Sequence, residues 1–320
     1  MIPSIDLDLG APPAARWPAP LTAHTADARA LVDFYLRDLG AGRLESWEPL
    51  IEAYRATFVA PELRAELDAV ARAIGRSPTE ALVANIYYDA FRVLMGCTAF
   101  AVDTPTGPIH ARNLDWWTDR GLLSRATWIV RASGGRAVGP YSTVGWPGFI
   151  GAFSGVAKGR FAITMNAVLS EERAEPRASI AFLIRDVLET AKSYGEAVER
   201  LTRTPIAPDC LLLVTGVRQG EMVVIERTPT RGTLRSPEKG LLVVTNDYRL
   251  GPSRGTMHGE LTTTSCARFD RAAKLARERR PTTAGECMGI LSDKQVKMGI
   301  TVQHMVMRAA TGELVVELPR

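Results

Sequence analysis

The periodicity of apolar residues changes close to Cys97, and this change restricts the fold more than any other feature of the chain. Upstream, apolar residues recur at helical spacing over 27–39 and 61–74, and further helices are predicted from about Pro49 and after a capping box at Ser77. Downstream, short β-like runs bounded by Gly and Pro come first, and blocks of helices and strands follow. Such blocks, without a repeating βαβ pattern, predict an α+β fold built in layers. The downstream strands are predicted at 98–102, 109–116, 127–132, 160–168, 210–217, 222–228, 241–246, 301–309 and 313–318, and the helices at 180–191, 193–203, 266–279 and 284–291.

Composition and charge exclude several classes of protein. The 320 residues are 46% apolar and 23% charged, which is enough for a large core and suits one domain over 1–320. The net charge of +4 is scattered, and no stripe of Lys and Arg interleaved with aromatic residues indicates a nucleic-acid partner. No signal peptide and no apolar stretch long enough to span a bilayer are found. We therefore expect a cytoplasmic protein that does not bind nucleic acid, and we leave contact with a membrane open.

No cofactor or metal site is predicted, because GxGxxG, GxxxxGK[ST] and HExxH are all absent. The segment Gly151-Ala152-Phe153-Ser154-Gly155 differs from the GxSxG nucleophile elbow because its serine is one position late, and we interpret it as a turn in a Gly-rich loop. The histidines are far apart: His24, His110, His258 and His304. The cysteines form no CxxC pair and are expected to be free thiols: Cys97, Cys210, Cys266 and Cys287.

Cys97 is distinguished from the other cysteines by its surroundings. It follows Gly96 where helix gives way to strand, and Arg112 and Asp115 lie 15 and 18 positions further on. If a hairpin turns at 104–107, Arg112 and Asp115 return to the neighbourhood of Cys97. A guanidinium beside a thiol favours the reactive thiolate. The alternatives are a buried cysteine that acts as a small apolar residue, and an Arg–Asp pair on a strand surface.

At these residues the chain resembles a known family. Gly96-Cys97-Thr98-Ala99 and Ile109-His110-Ala111-Arg112-Asn113-Leu114-Asp115 resemble the cleavage region of acid ceramidase and N-acylethanolamine-hydrolysing acid amidase. These are N-terminal nucleophile cysteine hydrolases, related to penicillin V acylases and bile-salt hydrolases. The similarity covers nearly the whole chain, weakly in most places and specifically around Cys97. Further similar segments are 85–89, 161–166, 170–173, 193–197, 201–207 and 244–246.

The resemblance implies a fold and a processing step. The family fold is an αββα sandwich of two antiparallel sheets between helical layers, preceded here by a helical segment. The chain would cut itself between Gly96 and Cys97 into an α-fragment (1–96) and a β-fragment (97–320) that remain associated. The new α-amino group of Cys97 would then act as the general base, since its reference pKa is about 7.7–8.

The resemblance also implies roles for individual side chains. Arg112 would lie beside the Cys97 sulfur, Asp115 would accept a hydrogen bond from the α-amine, and Asn246 would donate to the oxyanion. Arg268 would correspond to a late arginine of the family. The chain departs from the family pattern at three features: Asp247 preceding Tyr248, a spacing of 22 residues between Asn246 and Arg268, and an apparent insertion at 250–264.

The predicted substrate is an N-acyl lipid such as an N-acylethanolamine or a ceramide-like amide, and N-acyl amino acids are a further possible class. Apolar residues near the cleavage region would line an acyl pocket, with core packing as the alternative. The acyltransferase reaction, an acylase of the penicillin V or bile-salt type, and an uncut lipid-binding protein remain alternatives. The predicted substrate-binding residues are Trp116, Trp117, Trp146, Phe149, Asn166 and Glu172.

Overall fold

The structure is a computed structural model that describes residues 2–40, 42–91, 96–172, 175–251 and 263–319. Its core is an αββα sandwich, so the predicted α+β layered fold is confirmed. The strands are β1 (Ser4–Asp8), β2 (Gly96–Val102), β3 (Ile109–Asp115), β4 (Trp128–Ser133), β5 (Tyr141–Gly145), β6 (Ser154–Ala157), β7 (Phe161–Ala167), β8 (Cys210–Thr215), β9 (Met222–Arg227), β10 (Gly232–Arg235), β11 (Leu241–Val244), β12 (Thr301–Arg308) and β13 (Glu313–Glu317). The α-helices are α1 (Pro18–Leu21), α2 (Thr25–Leu39), α3 (Arg43–Phe58), α4 (Pro61–Ile74), α5 (Pro78–Asn85), α6 (Tyr87–Phe91), α7 (Leu122–Arg125), α8 (Ile180–Thr190), α9 (Tyr194–Arg203), α10 (Ser265–Arg279) and α11 (Ala284–Leu291).

Two sheets form the middle of the sandwich. The larger sheet has eight strands in the order β1-β4-β5-β6-β7-β8-β9-β10, and the smaller has five in the order β11-β2-β3-β12-β13. Every neighbouring pair is antiparallel except β1 and β4, which run parallel with Ser4 opposite Ile129. Helices α8 and α9 pack on the larger sheet, and α10 and α11 pack on the smaller one.

Strand β2 shows how the layers are filled. Side chains alternate between the faces of a strand. Ala99 and Ala101 accordingly pack with residues of the larger sheet, whereas Phe100 and Val102 pack against α10 and α11. Cys97 shares the face of Ala99, so its side chain points between the two sheets. This placement surrounds the thiol with protein on all sides, and Cys97 is fully buried.

Helices α2 to α6 precede the first strand of the smaller sheet, as the helical periodicity predicts. The capping box at Ser77 is confirmed, because Ser77 Oγ accepts from Glu80 N at 3.1 Å and Glu80 Oε2 accepts from Ser77 N at 2.7 Å. The predicted helix start at Pro49 is wrong: α3 begins at Arg43, and Pro49 lies inside it. Proline removes a single hydrogen-bond donor, and the helix continues through it, although Pro is a common breaker.

In the ranges that the structure describes, no helix is long and apolar enough to cross a membrane. The cysteines Cys97, Cys210, Cys266 and Cys287 are all free thiols, with Cys266 partly exposed and the others buried.

Candidate active site

The hairpin of β2 and β3 places Cys97 beside the two charged residues expected there. The register pairs Gly96 with Asp115 and Ala99 with Arg112, so the predicted hairpin is confirmed. Because paired residues point to the same face of a sheet, Arg112 shares the face of Cys97. Asp115 points to the opposite face, toward α10. The backbone of Cys97 therefore lies between an arginine on one face and a carboxyl group on the other.

Arg112 holds its guanidinium against the sulfur. Arg112 Nη2 lies 3.2 Å from Cys97 Sγ and also donates to the carbonyl oxygen of Met165. Arg112 Nη1 donates to Ser154 Oγ, and to the Phe153 carbonyl oxygen at 3.4 Å. The side chain is fully buried, and these acceptors fix its planar fork in one orientation.

Ser154 is a site residue that the sequence did not reveal. The interpretation of 151–155 as a turn is wrong at its end, since Ser154 begins strand β6 and pairs with Thr164 of β7. Its hydroxyl group is buried and faces Arg112. Arg112 therefore connects Ser154 Oγ to the Cys97 sulfur.

The backbone of Cys97 is held by a second group of side chains. The amide nitrogen donates to Asn246 Oδ1 at 3.1 Å, and the same oxygen accepts from Arg268 Nη2 at 2.8 Å. Arg268 Nη1 donates to the Cys97 carbonyl oxygen at 2.7 Å and to Thr98 Oγ1 at 2.9 Å. Asn246 Nδ2 donates to the Ala167 carbonyl oxygen at 2.8 Å. Both polar backbone atoms of Cys97 are therefore fixed by side chains far away in the sequence.

Asn246 and Arg268 are brought together by the connection between β11 and α10. Asn246 follows the end of β11, and Arg268 lies in the first turn of α10. Ser265 Oγ joins the two elements, because it accepts from Asn246 N at 3.0 Å and lies 2.9 Å from Thr245 Oγ1. Most of the segment interpreted as an insertion, 252–262, lies outside the described residues.

Asp115 is a buried carboxyl group, and among the described residues only one of its two oxygens has a hydrogen-bond partner. Its Oδ1 accepts a hydrogen bond from Thr301 Oγ1, while Oδ2 has no hydrogen-bond partner among the described residues. Burial raises the pKa of Asp115, and the Thr301 bond and the charges of Arg268 and Arg112 oppose that rise. Burial also lowers the pKa of Arg268, which the charge of Asp115 opposes. Asp115 Oδ2 is therefore a buried acceptor without a described partner, on the residue that pairs with Gly96.

Asn166, predicted as a substrate-binding residue, lies on β7 near the same strand ends. Its Nδ2 donates to the carbonyl oxygens of Val244 and Thr245 at 3.2 and 2.9 Å. Its Oδ1 is buried and, within the described ranges, has no hydrogen-bond partner. An orphaned buried acceptor is uncommon, and this one is available to a ligand.

The predicted aromatic residues divide into a packed group and an exposed one. The rings of Trp116, Trp146 and Phe149 pack in one cluster with Phe153, which is not among the predicted substrate-binding residues, at centroid distances of 5.0–6.2 Å. The cavity among them measures only about 30 Å³, close to the volume of one water molecule. Trp117 is 59% exposed instead. In the uncut chain the packed rings form core rather than an open acyl pocket.

Glu172 lies in a surface ion pair. Its Oε1 accepts from Arg231 Nη2 at 2.7 Å, and Oε2 accepts from Thr230 Oγ1 at 3.2 Å. Burial tends to raise the pKa of Glu172, but the hydrogen bond from Arg231 and its neighbours lower it overall. The hydrogen bonds described for this carboxylate do not include any of the residues that hold Cys97.

A large apolar groove was not predicted from the sequence. It has a volume of about 520 Å³ and is bounded mainly by α3, α5 and α6. One end of the groove is lined by Ala207, which lies three positions before Cys210 at the start of β8. Cys210 pairs with Ala167 of β7, and the Ala167 carbonyl oxygen accepts the hydrogen bond from Asn246 Nδ2. The groove therefore opens near the strand ends that carry the site. Its larger apolar lining residues are Trp47, Leu50, Ile51, Tyr54, Phe58, Val83, Ile86 and Pro176.

No metal chemistry is indicated by the side chains. In the part of the chain that the structure describes, no group of three His, Cys, Asp or Glu residues could hold a metal ion. Burial lowers the pKa of His110 to about 3 and that of His304 to about 4, so both imidazoles are neutral near neutral pH. His110 bridges Thr164 and Thr215 of the larger sheet, at 2.8 and 3.2 Å. The arrangement combines a thiol, a guanidinium and an amide nitrogen that cleavage would convert into an amine.

Comparison with known proteins assigns the fold and the family. The family described as acyl-coenzyme A:6-aminopenicillanic acid acyl-transferase matches residues 102–304. The solved structure of the Caenorhabditis elegans N-acylethanolamine-hydrolyzing acid amidase ortholog superimposes with a TM-score of 0.56 and 24% identity, covering 67% of this chain and 93% of that one. This likeness concerns the fold, and it agrees with the N-terminal nucleophile sandwich predicted from the sequence.

Two curated relatives are similar in sequence. The N-acylethanolamine-hydrolyzing acid amidase of C. elegans is 29% identical over 186 residues, which cover 53% of this chain and 52% of the relative. The acid ceramidase of Balaenoptera acutorostrata scammoni is 24% identical over 261 residues, which cover 71% of this chain and 63% of the relative. The matched part thus spans between half and two thirds of the length of these relatives.

Proposed function

Because the chain belongs to the acyl-coenzyme A:6-aminopenicillanic acid acyl-transferase family, we propose that it is a self-processing cysteine amidohydrolase with Cys97 as its nucleophile. One observation carries the proposal. Cys97 Sγ lies 3.2 Å from Arg112 Nη2, while the nitrogen of the same residue is held 3.1 Å from Asn246 Oδ1. The two atoms that the mechanism needs, a nucleophile and a future amine base, are thus fixed on one residue.

Self-cleavage proceeds by attack of Cys97 Sγ on the carbonyl carbon of Gly96. The C–N bond between Gly96 and Cys97 breaks, the nitrogen takes up the thiol proton, and the Gly96 acyl group is carried as a thioester. Water then hydrolyses the thioester, which leaves a carboxyl group on Gly96 and a free thiol and α-amine on Cys97. The Arg268 contacts to the Cys97 carbonyl oxygen hold the residue in place during this exchange.

Turnover uses the freed amine as the general base. With a reference pKa of about 7.7–8, an α-amine can take the thiol proton near neutral pH. The thiolate attacks the substrate amide carbonyl, and the amine product leaves with that proton. Water, deprotonated by the α-amine, then hydrolyses the acyl thioester. One residue supplies both nucleophile and base, so the reaction needs no histidine.

The neighbouring side chains take the remaining roles. Arg112 Nη2 donates to the attacking sulfur, and Asp115 Oδ2, which has no partner among the described residues, accepts a hydrogen bond from the α-amine. Asn246 first holds the peptide nitrogen of the uncut chain through Oδ1. During turnover the hydrogen bond from Asn246 Nδ2 to the Ala167 carbonyl oxygen breaks, and Nδ2 donates to the substrate oxyanion instead.

The apolar groove supports a lipid-like acyl group. Its volume of about 520 Å³ lies within the range of small-molecule sites, and its walls are apolar helix faces. Because Ala90 on its wall lies seven positions before Cys97, the groove and the nucleophile are joined by a short stretch of chain. The curated relatives are named for hydrolysis of N-acylethanolamines and ceramides. We therefore propose N-acyl lipids as the substrate class.

The two fragments are expected to remain associated after cleavage. Glu66 of the α-fragment is fully buried and accepts from Arg185 of the β-fragment at 2.6 and 2.8 Å. Asp89 accepts from Ser179 Oγ at 2.7 Å and from Ile180 N at 2.8 Å, which caps helix α8 from the other fragment. Such buried polar and charged contacts are costly to break.

A second candidate is acyl transfer, which the name of the matched family favours. In that reaction an amine, rather than water, attacks the acyl thioester on Cys97. Incubation with substrate and an added amine separates the two reactions, because a transferase forms the new amide and a hydrolase releases the free acid.

Intact-mass spectrometry tests the central proposal. We expect the 34.8 kDa chain to convert into two fragments, the second beginning at Cys97, and to hydrolyse N-acyl amides only after conversion. Cys97→Ala should stay intact and inactive, whereas Cys287→Ala, a buried cysteine on α11, should be processed normally. A wild-type chain that stays uncut and inactive across a range of pH refutes the proposal.

A further inference from the structure

A broad basic cleft lies beside the site, on the surface between α2 and the segment that follows β3. It has a volume of about 1220 Å³, and four arginines and two aspartates on its walls give it a formal charge of +2. Trp117 lies two residues after Asp115, the residue paired with Gly96. Because consecutive Cα atoms are about 3.8 Å apart, the wall of the cleft begins within about 8 Å of Asp115.

The positive charge of the cleft is not fully neutralised by its own acids. Arg76 pairs with Asp33, and Arg37 pairs with Asp119 at 3.2 Å. Arg120 and Arg125 are exposed, and among the described residues neither has an ion pair or a hydrogen bond from its side chain. These two arginines are therefore left to bind an anion from outside the protein.

The geometry of the cleft suits a ligand with an anionic group. Arginine presents a planar fork of donors that matches a carboxylate or phosphate. Arg120 adopts a left-handed backbone conformation, with φ of 51°, that L-residues with a side chain rarely take. Trp117 adds an exposed ring that rests on Phe34 at a centroid distance of 5.8 Å.

We propose that this cleft binds the amine half of the substrate and selects amides whose amine carries a carboxylate, that is, N-acyl amino acids. The inference rests on the proposed amidohydrolase function. The apolar groove takes the acyl chain, so the polar half of the amide needs a separate surface near Cys97. Of the surfaces described, the basic cleft adjoins the strand that carries Arg112 and Asp115, and its unpaired charges are of the sign that a carboxylate requires.

A matched substrate pair tests the proposal. N-octanoylglycine and N-octanoylethanolamine share an acyl chain, and their amine halves are of similar size but differ in charge. We expect kcat/KM to favour the glycine amide by about 2- to 30-fold, since each of the two exposed ion pairs contributes about 0.2–1 kcal/mol and 1.4 kcal/mol is tenfold. The preference should shrink as ionic strength rises, because salt screens exposed charges.

Arginine variants test whether the preference for the glycine amide arises in the basic cleft. The double variant Arg120→Gln and Arg125→Gln should lower the ratio of the two kcat/KM values toward one. Arg131→Gln removes an exposed arginine of β4 that lies outside the cleft and should leave the ratio at its wild-type value. A preference for the neutral amide, or a ratio that the double variant does not change, overturns the proposal.

A binding measurement separates this inference from the proposed function. If neither amide is hydrolysed, the proposed function fails, and calorimetry with the uncut Cys97→Ala protein then decides the inference. Tighter binding of N-octanoylglycine than of N-octanoylethanolamine, with the difference lost in the double arginine variant, supports the cleft as a carboxylate site. Equal affinity for both compounds refutes it.

Discussion

Substitution of Ser154 by alanine tests how Arg112 is held beside the Cys97 sulfur. Ser154 Oγ accepts from Arg112 Nη1, and the other acceptor described for that nitrogen, the Phe153 carbonyl oxygen, lies at 3.4 Å. In Ser154→Ala the buried guanidinium loses its nearer acceptor on that side. Its second nitrogen, which contacts Cys97 Sγ, is then free to move away from the sulfur.

The expected loss of rate in Ser154→Ala follows from the charge of Arg112, which donates the hydrogen bond to Ser154 Oγ. A hydrogen bond to a charged group contributes about 1.5–3 kcal/mol, and each 1.36 kcal/mol in a barrier is tenfold in rate. If the whole contribution is lost from the reacting geometry, self-cleavage and turnover slow by about 10- to 150-fold. A loss in kcat with little change in KM is expected, because Ser154 contacts Arg112 rather than the acyl groove.

Two time courses measure this effect. The first follows conversion of the 34.8 kDa chain into fragments, and the second follows amide hydrolysis after processing is complete. Ser154→Thr retains the hydroxyl group and should restore most of both rates, and thermal unfolding should show that each variant is folded. If Ser154→Ala cleaves itself and turns over at wild-type rates, Ser154 has no part in positioning Arg112.

Three further predictions concern the oxyanion and the contacts between fragments. Asn246→Ala should slow turnover by about 10²–10³-fold, measured as kcat, while the melting temperature changes little. Burial raises the pKa of Asp89 from 3.8 to about 7, so the folded protein keeps a proton that the unfolded chain releases. The free energy of unfolding should therefore fall as pH rises from about 4 to about 7, by up to roughly 4 kcal/mol, and Asp89→Asn should remove this slope in urea titrations. Glu66→Gln should lower the free energy of unfolding by about 1–3 kcal/mol, because it removes the negative charge that faces the buried Arg16 and Arg185 while Glu189 still pairs with Arg185, and urea denaturation measures the loss.

The hairpin that carries Cys97 and Arg112 could be predicted from sequence because its information is local. Two apolar runs joined by a short Gly-containing turn specify an antiparallel pair, and the side-chain period of two then fixes which residues share a face. The capping box at Ser77 is local in the same sense. For Asn246 and Arg268, only the resemblance suggested a role, since the contacts with Cys97 span 149 and 171 positions.

Other features depend on tertiary contacts that no local pattern encodes. Strand β6 is four residues long and contains Gly155, so its sequence favours a turn, and pairing with β5 and β7 overrides that preference. The apolar groove arises from the spacing of three helices rather than from any one of them. Helix α3 contains Pro49, which sequence rules place at a helix start.

Strand β1 would link the two fragments of the proposed cleavage through backbone pairing. It lies at the edge of the eight-stranded sheet and pairs in parallel with β4, so the first residues of the α-fragment cover the backbone donors and acceptors of a β-fragment strand. An uncovered edge strand is a template for pairing with other chains. A β-fragment produced without its α-fragment should therefore aggregate through β4. If the chain is cut after Gly96 as proposed, continued pairing of β1 with β4 keeps this edge covered.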